Sequence, residues 1–146
     1  MFDPKAWYEG LKYELSNALV EDLHHKVFSI LMDHVGFADA IDLEKLSTMV
    51  FGGSTEKDLR KTRKIIEELR KLYNVPVMST AGQSGRWLAT GPDELFTEAK
   101  RLTEYANTIK ETASAMELIA HSMNIDDTPE ELHKTLEQLS IWEMHL

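Results

Sequence analysis

Apolar residues recur along this chain with two different periods, and the switches between them mark its elements. Near the start Trp7, Leu11, Leu15, Ala18 and Leu19 follow a helical pattern, with Asp3 as N-cap and Pro4 at the first helical position. Val27, Leu31 and Val35, with Phe28 and Ile30 beside them, form a second helical pattern that stops at Gly36. Ala40-Ile41-Asp42 leads into a short third helix, capped by Asp42 and running from Leu43 to about Phe51, and Gly52-Gly53 makes a turn. Ser54 or Thr55 caps a fourth helix, with Asp58 three residues beyond Thr55 as in a capping box. The pattern then becomes strand-like. Val75-Pro76-Val77-Met78-Ser79 and Arg86-Trp87-Leu88-Ala89 flank a glycine-containing loop at 81–85, which predicts a two-stranded hairpin with Pro76 at an edge or strand start. Thr90-Gly91-Pro92-Asp93-Glu94 caps a long helix that meets no breaker until about Asn124. Thr128-Pro129-Glu130-Glu131 opens a last helix to about Met144, whose stripe Leu132, Leu136, Leu139 and Trp142 is expected to cover the core. The expected class is mainly α, of α+β type.

The fourth helix carries the most distinctive chemistry. Between Thr55 and Tyr73 lie Lys57, Arg60, Lys61, Arg63, Lys64, Arg70 and Lys71 against Glu56, Asp58, Glu67 and Glu68, a local +3 in a chain whose formal net charge is -9. At about 100° per residue, Leu59, Ile65, Ile66, Leu69, Leu72 and Tyr73 share one arc and Lys57, Arg60, Lys64 and Lys71 lie opposite. Such a helix is expected to bury one face and present cations on the other. That geometry suits the major groove, where Arg pairs bidentately with guanine and Lys neutralises phosphate. The candidate DNA contacts are Lys57, Arg60, Lys61, Arg63 and Lys64, with Arg86 beside the hairpin tip reaching phosphate or minor groove and Gln83 or Ser84 bonding the backbone. A second reading stays open: Arg63, Glu67 and Lys71, and Lys64 with Glu68, are i,i+4 neighbours of the kind that decorate a solvated or protein-binding face. Trp87 is expected to pack the hairpin on the core rather than stack on a base.

Helix, helix, basic helix and hairpin in this order resemble a winged helix-turn-helix domain over about 23–95, similar to small phage and bacterial winged-helix proteins. The resemblance is carried by Leu46 with Gly52 in the turn, by Ile65-Ile66 and Leu69, by Val75-Pro76-Val77 entering the wing, and most specifically by residues 85–95 leaving it. The basic helix is about one turn longer than is usual there. The resemblance implies a two-stranded wing, binding to double-stranded DNA, and a role as a phage-encoded regulator or accessory factor without catalysis. The expected division is an N-terminal helix at 1–22, the winged-helix domain at 23–92 and a helical extension at 93–146.

Within the long helix Leu95, Ala99, Leu102, Ala106, Ile109, Ala113, Met116, Ala120 and Met123 follow alternating steps of four and three, a heptad seam in which every second position is Ala. Small residues at alternate layers let helix axes approach to about 8 Å, most simply in an antiparallel pair. The expected partner is a second copy, with a helix of the same chain as the alternative. A dimer would bring two basic helices to one DNA.

Composition limits the remaining classes. With no Cys there is no disulfide framework, thiolate site or cysteine nucleophile, and a cytoplasmic setting is expected. No stretch approaches the roughly 18 apolar residues of a membrane span, and the N-terminus lacks a signal pattern, so a soluble, unprocessed chain is expected. His24, His25, His34, His121, His133 and His145 form no zinc motif and are expected at the surface or the edge of the core, so neither metal nor cofactor is expected. Gly82 and Gly85 make no dinucleotide fingerprint, and the carboxylates are scattered. The acidic balance keeps one rival alive, a module that binds a host protein such as RNA polymerase or a replication factor.

Overall fold

The Asp3 carboxylate accepts a hydrogen bond from the Ala6 amide (3.4 Å), and Pro4 sits at the first turn, so the first helix, α1, begins where its cap dictates and runs Pro4–Asn17. The computed structural model describes residues 1–18, 21–80 and 82–124. Leu19 and the stripe Leu132, Leu136, Leu139 and Trp142, together with His133 and His145, lie outside them. The chain divides into two compact units, Met1–Leu95 and Phe96–Leu146.

In the first unit α1 is followed by α2 (Asp22–Leu31), a 3-10 turn at Phe37–Asp39, strand β1 (Ile41–Asp42), α3 (Leu43–Phe51), α4 (Glu56–Leu72), β2 (Val77–Ser79) and β3 (Gly85–Leu88). The unit is mainly helical with a small antiparallel sheet of order β1-β3-β2. The sequence pattern predicted two strands; the third, β1, pairs Ile41 with Arg86 and Asp42 with Gly85. Two residues are too short for a period, and their strand character comes entirely from the partner across the ladder. On the other edge Val77, Met78 and Ser79 face Leu88, Trp87 and Arg86.

Helices α2, α3 and α4 pack against one another, and α1 packs on α2. Val27, Phe28 and Leu31 of α2, Leu46 of α3, and Ile66 and Leu69 of α4 meet Val75, Val77 and Leu88 of the sheet region in one core. Each such side chain contributes roughly 1.5–3 kcal/mol when fully buried. Tyr8 and Leu15 join that core from α1, while Trp7, expected on the buried face, is 43% exposed. The Tyr8 hydroxyl donates to the Ala89 carbonyl at 2.6 Å, and burial, reinforced by the Glu94 charge, pushes its ionisation well above the ordinary tyrosine range. Trp87 is buried as expected, edge-on to Phe37 at 5.1 Å, with Nε1 donating to Glu94 (2.6 Å).

Helix α2 ends at Leu31 rather than at Gly36, because Gly36 turns its N–H to the Leu88 carbonyl and Val35 bridges Leu88 in parallel. Gly52 closes α3 in the left-handed conformation (φ 78°), which a residue with a side chain adopts only under strain.

Helix α5 spans Pro92–Met123, 32 residues or roughly 48 Å at 1.5 Å per residue. None of its residues is buried. Among the described residues, no helix is long and apolar enough to cross a membrane.

Candidate nucleic-acid interface

Helix α4 is set at its N-terminus by a complete capping box: the Thr55 hydroxyl accepts from the Asp58 amide (3.2 Å), and the Asp58 carboxylate accepts from the Thr55 amide (3.4 Å). Thr62, Ile65, Ile66 and Leu69 are buried, and Leu59 and Tyr73 half-buried, so the inward arc is close to the expected one. Leu72, placed on that arc by spacing, is instead 66% exposed at the last residue of the helix. Thr62 joins that arc although it is polar, fully buried with its hydroxyl donating to the Asp58 carbonyl (2.8 Å) within the helix.

Lys57, Arg60, Lys61 and Lys64 on the outward arc, and Arg63 to one side of it, are all exposed. Among the described residues none of the five has a carboxylate at ion-pair distance. Lys61 lies over the Phe51 ring, 5.7 Å from its centroid. The ladder of i,i+4 pairs forms only at the C-terminal end, where Lys71 engages Glu67 and holds that carboxyl below its ordinary range. Lys64 does not take Glu68, whose carboxylate lies 2.7 Å from Nε2 of His24 on α2. His24 is 3% exposed, which corrects the expectation of a surface or core-edge residue. Its spacing from Glu68 carries no local signal. The local signal is its helical spacing ahead of Val27, Phe28 and Leu31, at the N-terminal end of the buried face of α2.

Arg63 and Arg70, seven residues apart, share a second edge of α4, about 120–140° round from Lys57 at 100° per residue. That edge faces the hairpin: Arg70 donates from Nε (3.0 Å) and Nη2 (2.7 Å) to the Val77 carbonyl. Arg86 of β3 is half-buried and folds back, its Nη1 donating to the carbonyls of Gly85 (3.1 Å) and Gln83 (3.3 Å). Burial draws the Arg86 guanidinium below its ordinary range, the charges of Arg63 and then Arg70 push the same way, and Asp42 opposes them. It remains a cation at neutral pH. The structure thus separates the six expected contacts into an open group on α4, Lys57, Arg60, Lys61 and Lys64, and a pair on the hairpin side, Arg63 with Arg86. Arg70 was not among the expected contacts. Its heptad spacing from Arg63 is the signal that marks it as part of the same edge.

The described residues contain no group of three or more potential metal ligands. No protein-family model matches the chain, and neither a curated protein nor a solved structure does.

Proposed function

We propose that this chain is a winged helix-turn-helix protein that binds double-stranded DNA as a regulator or accessory factor of the kind phages encode, acting by binding rather than by chemistry. The observation that carries the reading is the row of exposed cations on α4, without carboxylate partners among the described residues, on a helix whose opposite face is locked in the core. A helix held in that way can enter a major groove without giving up its own packing. Its unneutralised side chains then release counterions from phosphate at no loss of internal ion pairs. The order α2, β1, α3, α4, β2, β3, with β3 between β1 and β2, is consistent with a winged helix in which α4 reads the duplex and the hairpin flanks it.

The net charge of -9 favours a different partner, a basic protein, and one experiment separates the two readings. Fluorescence anisotropy of a labelled random duplex across a salt series is expected to give binding that weakens steeply with salt and vanishes in the double variant Arg60→Glu, Lys64→Glu. Equal and negligible binding by parent and variant at low salt overturns the DNA reading in favour of the protein partner.

A further inference from the structure

We infer that the seam of α5 is the contact face for a second copy of this chain, and that the two helices run antiparallel with each Ala of one packed against a large residue of the other. The inference concerns how copies associate and stands apart from what α4 binds.

Two observations lead there. The first is exposure: Leu102, Ile109, Met116 and Met123 of the seam are 51–75% exposed, and Tyr105 and Ile119 on its flank 61% and 53%. Large apolar side chains in a continuous row along a helix are a contact surface waiting for a partner. The row has six such side chains, and burying roughly 100 Å² of each supplies about 600 Å² per chain, at the lower end of the share in a stable interface.

The second is the order of sizes, which selects the partner. In heptad terms Ala99, Ala106, Ala113 and Ala120 occupy one core position and Leu102, Ile109, Met116 and Met123 the other. A parallel pair would stack Ala on Ala and, about 5 Å further along, large on large, so that successive layers demand different axis separations. An antiparallel pair sets the two positions against each other and makes every layer one small and one large residue, compatible with a single close separation. Within residues 96–123 the register that fills eight layers joins Ala99 to Met123, Leu102 to Ala120, Ala106 to Met116 and Ile109 to Ala113 of the second copy. It also lays Tyr105 beside Ile119, which accounts for the two exposed side chains flanking the seam. The surface is complementary to its own reversed copy, and that is why the occupant is this chain.

The absence of Cys makes the test direct. In this register Thr112 faces its own counterpart, whereas the two Leu102 positions lie 18 residues, or about 27 Å, apart. Under mild oxidation Thr112→Cys is expected to form a disulfide-linked dimer and Leu102→Cys to stay monomeric on non-reducing gels, and light scattering of the parent is expected to read twice the chain mass. Ala106→Leu, which fills the close approach with extra volume, is expected to halve that mass while leaving the circular-dichroism helix content unchanged. A monomer mass for the parent overturns the inference, as does cross-linking of Leu102→Cys in place of Thr112→Cys, which is the parallel outcome. Neither readout involves DNA, so the seam and the α4 reading fail or hold separately.

Discussion

Nε2 of His24 lies 2.7 Å from the Glu68 carboxylate and joins α2 to α4 at the edge of the cationic arc, one turn beyond Lys64. The other ring nitrogen, Nδ1, is buried without a hydrogen-bond partner among the described residues, 3.7 Å from Glu21. The ring also stands edge-on to Tyr73 at 5.7 Å. One carboxylate therefore bonds one nitrogen of a buried histidine, and the contact ties α4 to α2. Glu68→Ala is expected to destabilise the first unit by about 1–3 kcal/mol, the cost of a buried polar group left unbonded. Urea unfolding followed by circular dichroism measures it, and an unchanged midpoint would show that the pair holds nothing.

The capping box sets where α4 begins. Thr55→Ala removes the acceptor for the Asp58 amide and is expected to cost about 1 kcal/mol of stability. Thr55→Ser keeps the acceptor and is expected to restore most of it. Equal urea midpoints for the two variants would contradict this role.

Glu94 ties the end of β3 to the start of α5. Burial alone would raise its pKa, but hydrogen bonds from the Thr90 amide, from Trp87 Nε1 and from the Thr90 hydroxyl together outweigh it and hold the carboxyl below its ordinary range. A depressed folded-state pKa means stability that is fully present above the ordinary carboxylate range, about pH 4.3, and is lost as the pH falls through the lower folded value. Comparing urea midpoints at neutral pH and below the carboxylate range, the parent is expected to lose more stability on acidification than Glu94→Gln. Parallel losses in the two proteins would refute the assignment.

On the DNA reading, the individual cations of α4 differ in what they contribute. Lys57→Ala and Lys64→Ala are each expected to flatten the plot of log affinity against log salt by about 0.9, one phosphate contact apiece. Lys71→Ala is expected to leave the slope unchanged, because that ammonium already engages Glu67. Anisotropy titrations at four salt concentrations give the slopes, and a loss at Lys71 equal to that at Lys64 would place the duplex elsewhere.

Tyr8 anchors α1 through its hydroxyl. Tyr8→Phe is expected to cost about 1 kcal/mol, one internal hydrogen bond to the Ala89 carbonyl, with the ring packing retained. A thermal or urea midpoint equal to the parent's would show that packing alone holds α1.

What the chain fixes by itself is whatever neighbours in sequence decide. Asp3 with Pro4, and Thr55 with Asp58, set helix starts through groups three residues apart or fewer. The spacing of Ile65, Ile66 and Leu69 determines which side of α4 turns inward, and with it which cations face out. Only the tertiary structure decides contacts between distant positions: β1 exists because Ile41 finds Arg86, buried His24 meets Glu68 across 44 positions of sequence, and Arg86 comes within reach of the Arg63 and Arg70 charges of α4. The physical reason is that caps and periodicity act within one or two turns of backbone, whereas a two-residue strand or a hydrogen bond between distant side chains has no stability until another part of the fold supplies its partner.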